Sequence, residues 1–540
     1  MSRTAAGAVG GPRSLVVLFA VVTVGFLSLL VVWPLVAVFE KTLSDVGAER
    51  LTEILGRGSV RQALFFTIWQ SALSAGLTLL IGLPIAHALA RYRFRGRGLI
   101  RAAAVVPFVL PTVVVASAID TSFERLSLLS DRSVSAILAA HVFFNVAIVI
   151  RVVGGFWSSL DQRPVEAARV LGASPWAAFK SVTLPRLAPV IGGSALLVFL
   201  FSFTSFGVIL ILGGPRRATV ETEIYRYAIF RQEFDVASVL ALVQLFVVAL
   251  LAVLVARLQR RYANAPQGRG FPMGRRLRSA KERLHLGAVV AIVLVVIGIP
   301  VASLVEASLQ IGDGYGIQNY RNLFEPISLL PVSAGRALFN SVQIAMAATL
   351  VATTVGVMAA FAVVRSGVMG RVLEVVVLVP LGVSAVTLGF GYLLAFTVLD
   401  LRRSPWLIPI AHAVVALPFV LAAVLPALRS IDHRYRHAAA VLGASPIVVL
   451  RKIDWPLIRR ATVTGAGFAF AISLGEFGAT SFLARSDSVF TAPLAIFRLL
   501  SQPGDLIRGR AMALSVVIGV VVALVAATLE KQRGDSRVML

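Results

Sequence analysis

The chain has 540 residues, of which 58% are hydrophobic and only 14% are charged, and its mean hydropathy is +0.88. Soluble proteins average about 45–50% apolar and about 25% charged residues, so this composition excludes an ordinary soluble domain. The chain has no cysteine, which excludes disulfides, thiolate metal sites and cysteine nucleophiles, and its formal net charge is +25.

Apolar runs of membrane-spanning length recur along the whole chain, because a span needs about 20 predominantly apolar residues. The first run follows Arg3 and Arg13 and is much longer than the roughly 7–15 apolar residues of a secretory signal, so we interpret it as an uncleaved span. Six runs fall in each half, which predicts an all-α integral membrane protein of about twelve transmembrane helices. The runs lie at 14–39, 62–90, 99–120, 135–157, 189–212, 236–257, 285–308, 337–364, 371–398, 407–428, 462–483 and 512–529.

The excess positive charge is concentrated in segments predicted to lie on one side of the membrane. If the N-terminus is cytoplasmic, nearly all of the excess Lys and Arg residues fall on the cytoplasmic side, as the positive-inside rule expects. The charge therefore indicates orientation and contact with anionic membrane lipids rather than nucleic-acid binding. We predict a multi-pass protein with both termini in the cytoplasm.

A basic stretch rich in Gly and Pro, residues 257–283, separates the two sets of runs. It has no apolar helical stripe and cannot span a membrane, so we interpret it as a cytoplasmic linker. The predicted domains are a first half at 1–256 and a second half at 284–540.

The halves repeat each other in sequence. EAARVLGASPWAAFKSVTLP begins at Glu166, and HAAAVLGASPIVVLRKIDWP begins 271 positions later at His437. Phe206-Gly207 matches Phe477-Gly478 at the same offset. Six spans in each half give both halves the same orientation, which predicts two parallel repeats around a central pathway.

We call residues 161–185 the first elbow and residues 432–456 the second elbow, because each predicts two short helices joined by a glycine. Pro164 and Glu166 suit the first turn of a helix, and Gly172 can adopt a left-handed C-terminal cap. Ser174 and Pro175 then suit the N-cap and first residue of a second helix. Both elbows are predicted to lie on the cytoplasmic face.

The second short helix of each elbow is predicted to present an apolar stripe at three-residue spacing. Such stripes could lie among lipid headgroups, could cover the inner end of the helix bundle, or could contact a partner protein, and their duplication at matched positions favours a partner. The stripes are formed by Trp176, Phe179 and Val182 in the first elbow and by Ile447, Leu450 and Ile453 in the second.

The first elbow resembles the EAA loop of ABC importer permeases, and the whole chain resembles two fused permease halves of the type I importer kind. The resemblance implies a bacterial inner-membrane protein whose elbows dock on two copies of a separate ATP-binding subunit, which binds ATP and Mg²⁺. It also implies an extracytoplasmic solute-binding protein. The implied coupling residues are Glu166, Ala167, Ala168, Gly172, Trp176, Phe179 and Pro185, with His437, Ala438, Ala439, Gly443, Ile447, Leu450 and Pro456 in the second elbow.

The second elbow departs from the family pattern, because His437 replaces the glutamate and Trp455-Pro456 replaces Leu-Pro. We expect unequal docking sites, with Glu166 the more sensitive. The sequence has no phosphate-binding G-x-x-x-x-G-K-[ST] loop, no catalytic triad and no metal-ligand cluster, so we expect no enzymatic activity and no cofactor in this chain. A twelve-span secondary transporter is the alternative, although it would not explain the two matched elbows.

Ionisable residues inside apolar runs are the other candidates, because charge within a membrane is costly. Glu476 could lock two helices together by hydrogen bonds or could meet a cationic solute in the pore. Ser205 is its counterpart in the first half, and Phe206 and Phe477 follow as pore or gate candidates. His141, Asn145, His87 and His412 are expected to bond between helices.

The solute is suggested only by resemblance. Segments beginning at Ala140, Phe203, Ala218 and Phe234 resemble the fused permeases of bacterial thiamine importers. The two-half layout is shared with ferric-iron permeases, and SLGEFGATSF is similar to a segment of molybdate and sulfate permeases. The resemblance implies thiamine or a related organic cation first and ferric iron second.

Overall fold

The computed structural model describes residues 13–126, 133–214, 217–263, 274–277, 279–397, 404–484 and 489–536. The helices of the first half are α1 (Arg13–Leu27), α2 (Trp33–Asp45), α3 (Ala48–Gly56), α4 (Gly58–Arg91), α5 (Arg97–Val109), α6 (Thr112–Arg125), α7 (Val134–Ser159), α8 (Arg163–Val170), α9 (Pro175–Ala178), α10 (Leu184–Phe203), α11 (Gly207–Leu212), α12 (Val220–Tyr225) and α13 (Phe234–Ala263). Those of the second half are α14 (Ala280–Val293), α15 (Ile299–Leu309), α16 (Gln318–Arg321), α17 (Ala334–Arg365), α18 (Gly367–Leu378), α19 (Ala385–Ala395), α20 (Leu407–Arg429), α21 (His433–Val441), α22 (Pro446–Val449), α23 (Trp455–Gly475), α24 (Gly478–Leu483), α25 (Ala492–Leu500) and α26 (Asp505–Ser536).

Single turns of other kinds join several of these helices. Short π-helical segments lie at Ser28–Val32, Phe179–Thr183, Arg226–Arg231, Leu294–Gly298 and Leu450–Asp454, and 3₁₀ turns lie at Asn322–Phe324 and Val379–Gly382. Strand β1 (Tyr92–Arg93) pairs in parallel with β2 (Arg275–Arg276), and β3 (Gln310–Ile311) pairs with β4 (Gly314–Tyr315) in an antiparallel hairpin. The protein is therefore all-α apart from two minimal two-stranded pairings in the part of the chain that the structure describes.

Within the described ranges, ten helical stretches are long and apolar enough to cross a membrane. The other two predicted runs, 99–120 and 371–398, are each divided into two shorter helices. Pro111 follows the end of α5, and Pro380 lies in the 3₁₀ turn after α18. Proline has no amide hydrogen to continue an α-helix, which gives a local reason for both divisions. The chain is a multi-pass membrane protein.

The two halves repeat each other in their packing as well as in sequence. A Cβ on Gly82 of α4 would lie 2.8 Å from Cβ of Val149 on α7, and a Cβ on the matched Gly356 of α17 would lie 2.7 Å from Cγ1 of Val420 on α20. Small residues allow membrane helices this close approach. The same helix pair therefore packs through the same glycine in both halves.

The leading helices of each half pack against helices of the other half. Helices α1 and α2 pack on α17 and α19 of the second half, and α14 and α15 pack on α4 and α6 of the first. The Tyr392 hydroxyl on α19 donates to the Leu30 carbonyl at 2.7 Å. Each half therefore provides a packing surface for the leading helices of the other half.

Ion pairs fix the relative orientation of the halves at one end of the molecule. Arg508, near the start of α26, lies 3.1 Å from Asp120 and 2.6 Å from Glu124 at the end of α6. Arg125 pairs with Glu306 near the end of α15. Both elbows lie at the opposite end, where α7 and α20 finish.

The predicted linker is only partly covered by the structure. Helix α13 continues to Ala263, so the chain stays helical beyond the predicted boundary at residue 256. Arg275 and Arg276 then pair with Tyr92 and Arg93 at the elbow end of α4. Residues 264–273 and 278 of the linker lie outside the described residues, and the domain boundaries remain a prediction.

Candidate functional site

Each elbow consists of two short helices joined by a glycine with a positive φ. Gly172 has φ +89° and Gly443 has φ +77°, a conformation that costs a residue with a Cβ about 1–2 kcal/mol. In the first elbow the Ala173 amide donates to the Ala168 carbonyl at 3.0 Å and the Gly172 amide donates to Arg169 at 3.1 Å. The second elbow makes the same pair of bonds, with 2.9 Å and 3.0 Å distances. These are the two bonds of a Schellman cap, so the elbows share one backbone geometry.

The most exposed apolar side chains of the elbows immediately precede these glycines. Val170 and Leu171 are 87% and 88% exposed, and Val441 and Leu442 are 87% and 85% exposed. None of these four residues was among the predicted coupling residues. The identical string VLGASP in both elbows was the available signal, because it places the apolar pair just before the turn. Apolar groups this exposed at matched positions indicate a contact surface.

The predicted stripes are only partly exposed. Trp176 is 69% exposed and Ile447 is 52% exposed. Phe179 is half-buried, because its ring stacks 6.2 Å from Trp157 of α7 as well as 5.5 Å from Trp176. Leu450 is also half-buried. The π-helical turns that begin at Phe179 and Leu450 direct the second half of each stripe toward the bundle, so each stripe is exposed at its start and half-buried further on.

The remaining predicted elbow residues lie at the surface or beside it. Ala168 and Ala439 are half-buried, where α8 and α21 face the bundle. Those that are exposed are Glu166, Ala167, Gly172, Pro185, His437, Ala438, Gly443 and Pro456. The prolines have a structural role, since each follows a π-helical turn at the start of a long helix, where the missing amide hydrogen leaves no bond unmade.

The elbows differ in how they are attached. In the second elbow the fully buried Asp454 accepts from Arg365 of α17 at 2.6 Å and from Arg436 of α21 at 2.8 Å. At the matched position of the first elbow, Thr183 has no charge. There Arg91, the counterpart of Arg365, donates to the Gln162 side chain. The second elbow is therefore held by buried ion pairs and the first by a charge-to-amide hydrogen bond.

The apolar runs predicted at 189–212 and 462–483 are each interrupted at the centre of the molecule. Helix α10 ends at Phe203 and α11 begins at Gly207, while α23 ends at Gly475 and α24 begins at Gly478. The Phe206 and Phe477 rings stack across the interface of the halves, with centroids 5.3 Å apart and planes inclined by 23°. Three pore candidates, Ser205, Phe206 and Phe477, are thus brought together with Glu476 at one level.

Glu476 is buried and fully engaged by hydrogen bonds. Its carboxylate accepts from the amides of Ala479 and Thr480 at 2.9 and 3.1 Å and from the Thr480 hydroxyl at 2.9 Å. Nε2 of His412 lies 3.0 Å from the same carboxylate, and Nδ1 of His412 lies 2.8 Å from the Ser473 hydroxyl. Glu476 therefore joins α20 to the start of α24, as the helix-locking alternative predicted. Glu476 also lines a cavity between the two halves, so its position is compatible with contact with a cationic solute in the pore as well.

A cavity of about 470 Å³ lies between the halves, beside the two interruptions. It extends toward the elbow end of the molecule, since Arg151 and Ala423, near the ends of α7 and α20, also line it. Its polar lining includes Thr112, His141, Asn145, Arg151, Thr204, Ser205, Glu221, Ser384 and Glu476, and its aromatic lining is formed by Phe144, Phe201, Phe206, Phe419, Phe468 and Phe477.

Buried aromatic rings separate this cavity from the end opposite the elbows. Tyr225 packs edge-on against Phe206 and Phe482, with centroids 5.3 and 5.5 Å away. Phe390 continues the layer 6.3 Å from Phe482, and Phe497 lies 5.5 Å from Phe477. The structure therefore has a central cavity that is closed by aromatic packing on one side.

Glu221 is a cavity residue that sequence reasoning missed. It lies on the short helix α12, is 1% exposed, and accepts a hydrogen bond from the Gln244 side chain of α13. Because it falls between two apolar runs, it was not considered as an intramembrane charge. The first half thus contributes a carboxylate to the cavity from a different element than the second half does.

Comparisons with known proteins match both halves. A family model described as a binding-protein-dependent transport system inner membrane component matches residues 78–266 and 352–532. The chain is 30% identical over 480 residues to the thiamine transport system permease protein of Brucella abortus (strain 2308), a match that covers 84% of each chain. It is 27% identical over 458 residues to that of Escherichia coli (strain K12), covering 81% of this chain and 83% of that protein. The molybdate/tungstate transport system permease protein of Thermococcus kodakarensis is 32% identical over 196 residues, 36% of this chain and 77% of that protein.

Proposed function

The chain belongs to the family of binding-protein-dependent transport system inner membrane components, and from that premise we propose that it imports thiamine or a closely related organic cation. Family membership makes it a permease subunit of an ABC importer. The solute is suggested by the names of its relatives, two of which are thiamine permeases matching more than four-fifths of the chain. The observation that carries the proposal is the central cavity, whose wall contains two buried carboxylates, Glu221 and Glu476, between two matched permease halves.

The energy for import would come from a separate ATP-binding subunit that holds ATP and Mg²⁺. Two copies of that subunit would dock on the two elbows, where Val170-Leu171 and Val441-Leu442 offer apolar contact area. The elbow end would face the cytoplasm of a bacterial cell, with both termini on the same side. The opposite end would receive an extracytoplasmic solute-binding protein.

In this arrangement the described conformation faces inward. The cavity extends toward the elbow end, and the aromatic layer around Tyr225 and Phe482 closes the other end. Solute delivered from outside would have to pass this layer when the halves move apart at the Phe206–Phe477 contact. The cavity would then release solute to the cytoplasm.

Uptake by the reconstituted complex tests this function. The permease, its ATP-binding subunit and its binding protein are placed together in proteoliposomes, and labelled thiamine uptake is followed with and without ATP. We expect ATP-dependent uptake that survives collapse of ion gradients. Uptake driven by an ion gradient without any ATPase would support the secondary-transporter alternative instead. Ferric iron, the second expectation from the sequence, would be supported if the complex takes up ferric iron and not thiamine.

The unequal elbows give a second expected result. We expect Glu166→Ala to lower solute-stimulated ATPase activity by about 10-fold to 100-fold, because a hydrogen bond to a charged group contributes about 1.5–3 kcal/mol and about 1.4 kcal/mol corresponds to a factor of ten. His437→Ala should lower it less, by about 2-fold to 10-fold, since an uncharged hydrogen bond contributes about 0.5–1.5 kcal/mol. Both side chains are exposed at matched positions, so each variant is the other's control. Equal losses would contradict the proposed inequality.

A further inference from the structure

Two residues on the wall of the central cavity each have one buried polar atom with no hydrogen-bond partner among the residues that the structure describes. These atoms are Nε2 of His141 and Oδ1 of Asn145, on residues that are 2% and 1% exposed. The two residues lie one turn apart on α7, so they share a helix face. Both residues line the cavity.

The other end of each side chain is held in place. Nδ1 of His141 lies 3.0 Å from the Ser74 hydroxyl of α4, and Nδ2 of Asn145 donates to the Ser202 hydroxyl of α10 at 3.3 Å. With Nδ1 accepting from Ser74, Nε2 of His141 is a donor, and Oδ1 of Asn145 is an acceptor. The two unpaired atoms thus form an oriented donor–acceptor pair. Buried polar atoms in proteins are nearly always paired, which points to an occupant of the cavity.

The second half shows that the fold does not require this pair. His412, the counterpart of His141, has both ring nitrogens engaged, at 2.8 Å from Ser473 and 2.8 Å from Thr480. The counterpart of Asn145 is Ala416. The open donor–acceptor pair is therefore a property of one half, as expected for a single asymmetric ligand held on one side of a pseudo-symmetric pathway.

We propose that His141 and Asn145 form a solute-binding subsite for the heteroaromatic edge of an organic cation. This proposal rests on the proposed function. An aminopyrimidine edge, as in thiamine, offers an amino N–H to Oδ1 of Asn145 and a ring nitrogen to Nε2 of His141. The aromatic wall accepts a planar ring, and the carboxyl groups of Glu221 and Glu476 lie on the same wall, where a positive charge elsewhere on the solute would favour their ionised form.

The test compares thiamine with oxythiamine, in which an oxo group replaces the amino group. Uptake of each is measured in the complete reconstituted importer for Asn145→Leu and His141→Phe. We expect each variant to lower thiamine uptake about tenfold, and Asn145→Leu also to bring the thiamine-to-oxythiamine rate ratio close to one. The melting temperature of Asn145→Leu should fall only slightly, because the substitution removes the unpaired Oδ1 together with one long hydrogen bond to Ser202; a merely structural asparagine would not change the ratio.

Thr78→Val is the matched control. Thr78 is also buried on a spanning helix with an unpaired hydroxyl, but it is not part of the cavity wall. It should leave uptake and the rate ratio unchanged. If the wild-type complex imports thiamine, but Asn145→Leu and His141→Phe keep the wild-type uptake rate and the wild-type thiamine-to-oxythiamine ratio, the subsite proposal is wrong. The proposed transport function would not be affected by that result. If the wild-type complex does not import thiamine, the proposed solute fails and the subsite assignment fails with it.

Discussion

Replacing Leu171 and Leu442 together by Asp is expected to abolish ATP-driven import and association with the ATP-binding subunit. Burying one leucine side chain contributes about 1.5–3 kcal/mol. Two elbows together would therefore lose about 3–6 kcal/mol, which corresponds to a fall in affinity of about 100-fold to 10⁴-fold. A carboxylate left in a closed apolar interface adds a further desolvation penalty. The measurement is co-purification of the ATP-binding subunit, followed by uptake in proteoliposomes.

The matched control for this substitution is Leu506→Asp. Leu506 is 62% exposed near the start of α26, at the end of the molecule opposite the elbows. It should leave co-purification unchanged. The permease itself should fold in all variants, because Leu171 and Leu442 contribute almost no buried area. If the double variant retains its ATP-binding subunit and its transport rate, the apolar pairs lie among lipid headgroups and the docking proposal is wrong.

Replacing Glu476 by Ala is expected to destabilise the permease by about 3–5 kcal/mol, because each buried donor left without an acceptor costs about 1–3 kcal/mol. The substitution leaves two buried amides, the Thr480 hydroxyl and the His412 ring without their common acceptor. These groups join the end of α23 to α24 and α20, so transport should be lost with stability. Thermal unfolding of the detergent-solubilised protein measures the first effect, and uptake measures the second.

Two further variants separate the structural role of Glu476 from a role in solute binding. Glu476→Gln keeps a side-chain acceptor and should cost much less stability than Glu476→Ala. Ser205→Ala, at the matched position of the first half, is the control and should change stability least. In a double-mutant cycle, Glu476 and His412 should show a coupling free energy of about 0.5–3 kcal/mol. If Glu476→Gln is as stable as wild type but fails to transport, the carboxylate charge itself acts in the pathway.

The sequence predicted the local geometry of the elbows well because short-range rules determine it. A glycine after an alanine-rich turn, followed by Ser-Pro, is sufficient to predict a left-handed cap and a new helix. The observed φ values of Gly172 and Gly443 agree with this. Which side chains of the elbow remain exposed depends on packing against α7 and α17. For that reason Phe179 was placed on the surface and Leu171 was missed.

The interruptions of the spans could not be derived from hydropathy alone. The runs at 189–212 and 462–483 appear continuous in sequence, because the few polar residues around Ser205 and Glu476 have apolar residues on both sides. In the structure, contacts from the opposite half accompany the breaks: Gly207 lies against Phe477, and Gly475 lies against Pro111. His141 and Asn145 were correctly expected to bond between helices. That each would leave one buried atom without a hydrogen-bond partner depends on tertiary packing.

The first elbow continues without interruption into the helix that ends at the central aromatic contact. Residues Pro175–Phe203 form one rod of 29 residues, about 43 Å long at 1.5 Å per residue. Tilted as one unit by about 10° around its midpoint, a rod of this length displaces each end by roughly 4 Å in opposite directions. In the proposed importer, a small closing movement of the ATP-binding subunits would then shift Phe206 against Phe477 by about the thickness of an aromatic ring, without any intermediate linkage.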